Sequence, residues 1–185
     1  MKNIFILVLA LFVSTANADV INAFTAEYKA SDWTIIENGG EVTFKNGDTV
    51  LEQVSSNDGV TNNAFTDTVF DSAHTDGTIS FDWLYSSIDA PKYDYFGWLL
   101  NDQFTLLSDI SDDAEINQQG SEAFTVKQGD IFGFRTVSID SMFGSATTVI
   151  SNFKFTTSEV PEPSSMAFFA LVCIFIGLNR RKLAK

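Results

Sequence analysis

The sequence has almost no histidine and almost no cysteine. Its single histidine, His74, excludes a metal site built from several histidines, and a Ser-His-Asp triad would have to use it. His74 lies in a polar segment before a turn, and no Gly-x-Ser-x-Gly elbow, P-loop or Gly-x-Gly-x-x-Gly motif occurs. The single cysteine, Cys173, has no partner for a disulfide within the chain. We therefore expect a non-enzymatic protein that burial alone holds together.

Positive charge is scarce between the two ends of the chain. Residues 19–158 hold 22 acidic and 6 basic side chains, a difference of 16 negative charges. This excludes nucleic acid as a partner, because phosphates must be neutralised by cations. The charge suits solubility, cation binding, or contact with neutral sugars and basic partners. Arg135 is the single arginine of this region, so we expect it to form a partly buried ion pair with an acid.

The N-terminus has the pattern of a secretory signal peptide. Lys2 precedes ten apolar residues, 4–13, and the small residues Ala16 and Ala18 end the segment. The apolar run is short for a membrane span, which needs roughly 17–25 residues. We predict that residues 1–18 are a signal peptide cleaved by signal peptidase after Ala18, which leaves a domain of residues 19–158.

A second apolar run lies near the C-terminus. It covers 13 residues, 166–178, and a basic segment, 179–185, follows it. As a helix it would be ~20 Å long, shorter than the ~30 Å hydrocarbon core of a bilayer. Because basic residues follow the run and none directly precedes it, the positive-inside rule places 179–185 in the cytoplasm and the domain outside. The sequence thus predicts a short transmembrane helix after a linker, residues 159–165.

The linker carries a motif directly before this helix. It contains Pro161, Glu162 and Pro163, and the basic segment contains Arg180, Arg181 and Lys182. Pro-Glu-Pro, a short apolar helix and an Arg-rich end closely resemble the PEP-CTERM sorting signal of Gram-negative bacteria. The resemblance implies processing by an exosortase, a precursor anchored in the inner membrane, and delivery to the cell surface or the extracellular matrix. The alternative is a simple tail anchor, in which the prolines form a stiff extended spacer.

The domain shows the periodicity of β-strands. In residues 78–85, every second residue from Ile79 to Tyr85 is apolar, as in a strand with one buried face. Asn46-Gly47 between two such runs predicts a hairpin over residues 41–54. Further strands are predicted at 64–70, 93–100, 123–126, 131–139 and 147–155, and the main loop at 108–120. We expect an all-β fold, an antiparallel two-sheet jelly-roll-like sandwich.

The domain also has a family resemblance. Segments that begin at Phe81, Tyr93, Gln128 and Phe143 resemble a β-sandwich module common among PEP-CTERM proteins. The resemblance covers residues 75–155 and bears on the fold and the setting rather than on an activity.

Acidic and amide side chains make calcium the best metal hypothesis, because Ca²⁺ takes about six to eight oxygen ligands. One group is Asp89 with Asp94. The other group is Asn101, Asp102, Asp109, Asp112 and Asp113. Neither group has the spacing of an EF-hand. The alternative is that these residues only form turns.

Aromatic residues allow a second hypothesis. Trp83, Tyr93, Tyr95 and Trp98 fall within 16 positions, and exposed rings beside Asp and Asn acceptors would bind sugars. The alternative is that alternating aromatic side chains fill the core of the sandwich.

Our main interpretation is a structural or adhesive component of the cell envelope or of an exopolysaccharide matrix. The first alternative is a carbohydrate-binding module for exopolysaccharide, with or without the help of calcium. The second is an enzyme acting on polysaccharide, which would need two close carboxylates in an open groove.

Overall fold

The computed structural model describes residues 18–158, of which Asp19–Ser158 form a compact unit. The predicted signal peptide up to residue 17, the Pro-Glu-Pro linker, the transmembrane helix and the basic segment lie outside the described residues. Between residues 18 and 158, no helix has the length and apolar character needed to cross a membrane.

Eleven strands make up most of the described chain. They are β1 (Val20–Asn22), β2 (Thr34–Ile36), β3 (Glu41–Lys45), β4 (Val50–Val54), β5 (Ala64–Phe70), β6 (Gly77–Ser87), β7 (Asp94–Leu100), β8 (Gln103–Leu106), β9 (Asn117–Val126), β10 (Phe132–Ser138) and β11 (Ala146–Thr157). Two short 3-10 turns, Ala26–Tyr28 and Ala30–Asp32, connect β1 to β2, and the described residues contain no α-helix.

The strands form two antiparallel sheets. The larger has the order β3-β4-β11-β6-β9, and β1 pairs with β11 beyond the end of β4. The smaller has the order β2-β5-β10-β7-β8. The inner faces of both sheets contribute to one hydrophobic core, so the predicted antiparallel two-sheet sandwich is confirmed.

Local patterns located some strands better than others. The predicted hairpin is β3–β4, and its turn residues Asn46 and Gly47 have φ angles of 54° and 65°, which these residue types tolerate. The sequence missed β1, β2 and β8, which are three or four residues long. It also assigned residues 117–120 to a loop, although they begin β9. This half of β9 is polar and largely exposed along the sheet edge, so no apolar alternation marks it.

One half of the sandwich interior is filled with aromatic rings. Phe24 stacks on Phe153 with ring centroids 4.7 Å apart, and Trp33 lies parallel to Phe134 at 5.9 Å. The 3-10 turns close this end and bring Tyr28 over Phe155, at 4.7 Å. Burial of such side chains supplies most of the stabilisation that a domain without disulfides needs.

The other half of the interior contains many buried polar side chains. They are Gln53, Ser55, Thr66, Thr68, Ser87, Asp94, Thr136, Ser138 and Thr148. Gln53 Nε2 donates to Thr68 Oγ1 at 2.9 Å and to the carbonyl oxygen of Phe134 at 3.2 Å. On β10, the row that begins with Phe132 and Phe134 continues with Thr136 and Ser138, so it changes from aromatic to small polar residues.

A β-bulge in β11 shapes the outer face of the larger sheet. Asn152 and Phe153 of β11 both lie opposite one residue of β6, Phe81. Asn152 has a φ of 51°, a conformation that asparagine adopts more readily than most residues. The extra residue shifts the alternation by one, so Ile150 and Phe153 are both buried while Asn152 is exposed.

Candidate functional site

A groove runs along the outer face of the larger sheet, over β11, β6 and β9. Three adjoining depressions form it, with volumes of about 750, 370 and 390 Å³. The middle depression shares Asp82 and Ser121 with the largest one, and Leu84 and Gln119 with the third. The three together make one elongated surface that is open to solvent.

Asp82 of β6 is the central charged group of this groove. Ser121 Oγ of β9 donates to Asp82 Oδ1 at 2.5 Å, and Asn152 Nδ2 of the bulge donates to Asp82 Oδ2 at 2.6 Å. The hydrogen bond from Asn152, followed by that from Ser121, lowers the pKa of Asp82, because both favour the charged form. Each carboxylate oxygen has further lone pairs, so Asp82 can accept a hydrogen bond from a ligand while it keeps both partners.

Most other side chains of the groove are neutral hydrogen-bonding groups. Hydroxyls and amides come from Asn22, Thr49, Ser80, Ser86, Asn117, Gln119, Thr147, Ser151 and Asn152. Glu122 and Lys154 also line the largest depression, and the exposed side chain of Leu84 adds an apolar surface. Residues 80–86 of β6 extend over about 20 Å. The arrangement fits a long, largely neutral ligand that carries many hydroxyl groups.

Two carboxylates, Asp82 and Glu122, line the groove. Glu122 is in register with the inward-facing Phe81, while Asp82 is in register with Ser121. Because side chains alternate between the two faces of a strand, Glu122 and Asp82 start from opposite faces of the sheet.

The structure separates the four aromatic residues that the sequence singled out. Trp83 is 7% exposed and belongs to the core. Trp98 lies flat against Phe124 with ring centroids 4.0 Å apart. Tyr95 lies beside Phe104, at 6.0 Å, on the smaller sheet. Tyr93 is exposed in the loop before β7, so the four rings do not form one sugar-binding surface.

The second group of calcium candidates is also spread over the domain. Asn101 and Asp102 form the turn before β8, whereas Asp109, Asp112 and Asp113 follow β8 at its other end. Asn101 Nδ2 donates a hydrogen bond to Asp130 Oδ1 at 2.9 Å, and Asp112 accepts a 2.8 Å hydrogen bond from Lys92. Within residues 18–158, no three or more acidic, histidine or cysteine side chains are grouped in a way that could hold a metal.

The first group of calcium candidates lies at one end of the sandwich. Asp94 begins β7 and is fully buried, and Asp89 lies in the loop that precedes it. Burial is the main reason that the pKa of Asp94 rises to about 6, and the negative charges of Asp89 and Asp140 add to the rise.

The loops at this end also expose apolar side chains. Ile88 is 81% exposed and Phe143 is 77% exposed. Phe143 has a φ of 66°, and its loop is held by a 3.2 Å hydrogen bond from the Gly144 amide to Asn57 Oδ1. A large side chain in this backbone conformation is uncommon, and here the loop leaves the Phe143 ring in solvent.

Sequence reasoning missed the groove residues Asp82, Ser121 and Asn152. One signal was present, since the polar residues Ser80 and Asp82 alternate with the apolar row of β6 and so mark its outer face. The bulge at Asn152 had no comparable signal, because the sequence predicts one continuous strand over residues 147–155.

No family model matches the sequence, and no curated protein matches it. Several solved structures share the general shape of the fold. One is the C-terminal family 6 carbohydrate-binding module of a marine laminarinase from Zobellia galactanivorans, with 12% identity and a TM-score of 0.37 over 76% of this chain and 100% of that chain. Another is a family 29 carbohydrate-binding module from Piromyces equi, with 8% identity and a TM-score of 0.40 over 76% and 91%. A third is a family 35 carbohydrate-binding module from Clostridium thermocellum, with 12% identity and a TM-score of 0.37 over 76% and 100%. Similarity at this level bears on neither ligand nor activity.

Proposed function

We propose that this chain is an exported, non-enzymatic carbohydrate-binding protein of the bacterial surface. In this proposal, residues 19–158 bind polysaccharide along the groove of the larger sheet. The observation that carries it is the open groove itself, with an ionised Asp82 at its centre and neutral hydroxyl and amide side chains along its length.

The chemistry of these side chains supports the choice of ligand. Sugar hydroxyls both donate and accept hydrogen bonds, as the serine and amide side chains of the groove do. Hydrogen bonds to a carboxylate are stronger than those between neutral groups, so Asp82 is expected to contribute most. The negative charge of the domain repels acidic polymers, which favours a neutral or basic polysaccharide.

Glycan-array binding of residues 19–158, followed by calorimetry on the best ligand, tests the proposal. We expect Asp82→Ala to weaken binding by about 10- to 100-fold, because a hydrogen bond to a charged group is stronger than one between neutral groups. Asp102→Ala is the matched control, since it removes the same charge from an exposed turn of the smaller sheet. We expect its affinity to equal that of the wild type.

Two results would contradict the proposal. The first is no binding across diverse neutral and charged glycans with calcium present. The second is equal weakening by Asp82→Ala and Asp102→Ala, which would assign the effect to net charge rather than to the groove.

The exposed loops favour an adhesive role as a second candidate. Ile88 and Phe143 present apolar surface at one end of the sandwich, and such surface is typical of contacts with other macromolecules. Attachment of residues 19–158 to envelope fragments of the producing bacterium tests this role. Replacing both residues by serine should abolish attachment, whereas Asp82→Ala should leave it unchanged.

Export and sorting belong to the same proposal and rest on the two ends of the sequence. Mass spectrometry of the mature protein from envelope and medium fractions tests them. We expect an N-terminus at Asp19 and a C-terminus at or near Pro161, Glu162 and Pro163. A mature protein that retains Lys185 would contradict processing by an exosortase and leave a tail anchor.

A further inference from the structure

The polar end of the interior contains oxygen atoms that no donor satisfies. Four side chains there each bury an oxygen without any hydrogen-bond partner, namely Ser87, Asp89, Asp94 and Ser141. Buried polar groups are nearly always paired, so several unpaired acceptors at one end of a domain require an explanation.

Asp94 is the centre of this group. Ser55 Oγ accepts the amide of Ala146 at 2.8 Å and donates its own proton to Asp94 Oδ1 at 2.8 Å. The other oxygen, Asp94 Oδ2, is buried and has no partner. The hydroxyls of Ser55 and Ser138 are both hydrogen-bond partners that lower the pKa of Asp94. A carboxylate offers about four lone-pair sites, so Asp94 can still accept a cation or further donors.

The remaining oxygens belong to segments that surround Asp94. Tyr85 of β6 donates its hydroxyl to the carbonyl oxygen of Asp94, and Ser87 lies on the same inner face two residues along. The amide of Ser141 donates to Ser138 Oγ at 3.1 Å, and Ser138 is the register partner of Asp94 on β10.

Asp89 brings a second carboxylate from the neighbouring loop. Its Oδ1 accepts the amide of Ala90 at 2.6 Å, while its Oδ2 is buried and unpaired. The negative charges of Asp89 and Asp140 both act on Asp94. The loop's own cation, Lys92, is paired with Asp112, and the arginine of the domain is paired with Asp67. The charge of Lys92 acts on Asp89, but within residues 18–158 no basic side chain forms an ion pair with Asp89 or Asp94. Two carboxylates thus bury oxygens here without a paired cation, which is costly.

We propose that Asp94 and Asp89 bind a calcium ion beneath the loops at this end of the sandwich, with the hydroxyls of Ser87 and Ser141 and water completing its shell. The donors are all oxygens, which excludes the nitrogen and sulfur ligands that zinc prefers. Calcium accepts about six to eight such oxygens in flexible geometry, whereas magnesium demands a near-ideal octahedron. The ion would join the loop after β6 to the loop after β10, and it lies apart from Asp82 and its groove.

Thermal unfolding of the full chain, purified in a mild non-ionic detergent, tests the proposal. The chain is first stripped with EDTA and then given excess calcium. We expect Tm to rise by about 5–10 °C at a hundredfold excess over Kd, because a ligand that binds only the folded state stabilises it. The rise should be lost in Asp94→Asn and in Asp89→Asn. Asp102→Asn, an exposed acid at the other end of the sandwich, is the matched control and should keep it.

Terbium luminescence provides a direct readout that does not depend on stability. Tyr85 is bonded to the main chain of Asp94 and would sensitise Tb³⁺ bound there, with emission that calcium competes away. If Asp94→Asn does not fold, the wild type and Asp89→Asn still decide the question. An unchanged Tm for the wild type between EDTA and calcium would overturn the proposal. So would a rise in Tm, or Tb³⁺ emission, that persists in Asp89→Asn.

Discussion

The ion pair between Asp67 and Arg135 offers a sharp test of the tertiary structure. The two residues are register partners on β5 and β10, and Arg135 was expected from its sequence to form such a pair. Arg135 Nε donates to Asp67 Oδ1 at 2.7 Å and Arg135 Nη2 to Asp67 Oδ2 at 2.6 Å. The guanidinium also lies 4.3 Å from the ring centroid of Phe65. The hydrogen bonds that Asp67 accepts raise the pKa of Arg135 further, so the pair stays charged.

The two partners differ in exposure, and this predicts unequal effects of removing them. The side chain of Asp67 is 3% exposed, whereas that of Arg135 is 27% exposed. Arg135→Ala leaves a buried carboxylate without its counter-charge, which costs about 3 kcal/mol after some discount for solvent near the arginine. Asp67→Ala leaves a guanidinium that can turn to water and keep its contact with Phe65, so we expect a cost of about 1–2 kcal/mol.

Urea unfolding of residues 19–158, followed by the fluorescence of the buried tryptophans, measures both effects. For a slope of about 2 kcal/mol per molar urea, Arg135→Ala should lower the midpoint by about 1.5 M and Asp67→Ala by about half as much. The double variant should cost clearly less than the sum of the two. The more exposed pair Lys45–Glu52 is the control, and its removal should cost less than about 1 kcal/mol.

Three results would refute this reasoning. They are equal costs for Arg135→Ala and Asp67→Ala, costs below that of the control pair, or additive costs in the double variant. Any of them would show that Asp67 is not a buried charge that depends on Arg135.

Three further predictions follow from the groove and from the polar interior. Binding of polysaccharide should be constant from pH 8 down to pH 5 and weaken only below the usual pKa range of an aspartate, because the lowered pKa of Asp82 keeps it ionised. Loss of binding between pH 7 and pH 5, measured by calorimetry, would contradict this. Gln53→Ala should destabilise residues 19–158 by about 2–4 kcal/mol in urea unfolding, because it leaves a cavity and unpaired acceptors such as Thr68 Oγ1, and a cost below 1 kcal/mol would be inconsistent with the buried network. Asn152→Val should cost about 1–2 kcal/mol, since a β-branched residue is strained at a positive φ, whereas Asn152→Gly should keep stability and still weaken polysaccharide binding because Asp82 loses a donor.

The alternation of β6 shows how much of the fold a local sequence pattern can predict. Ile79, Phe81, Trp83 and Tyr85 were expected on one buried face, and all four are buried. A strand places successive side chains on opposite sides, so this result needs only neighbouring residues. The same argument favoured a core position for Trp83 over a sugar-binding one.

The polar elements show where local pattern fails. The first half of β9 and the short strands β1, β2 and β8 carry no strong apolar alternation, because sheet edges and exposed faces do not require it. They form strands because their main-chain groups pair with a neighbouring strand, and for β1, β2 and β9 that neighbour is distant in the sequence. β8 instead pairs with β7, which directly precedes it in the chain.

The sequence by itself determined the all-β class, the hairpin at Asn46-Gly47, the acidic surface and the absence of the usual catalytic motifs, since each depends on composition or on residues close together in the chain. It also predicts export and sorting signals, which lie outside the described residues. Only the tertiary structure decided which side chains meet. Asp82, Ser121 and Asn152 come from three strands and meet because β6 lies between β9 and β11 and because a bulge turns Asn152 outward. Asp94 and Ser55 meet because the two sheets pack face to face. Strand order, register and sheet packing are set by burial and hydrogen bonding over the whole domain, and no short segment encodes them.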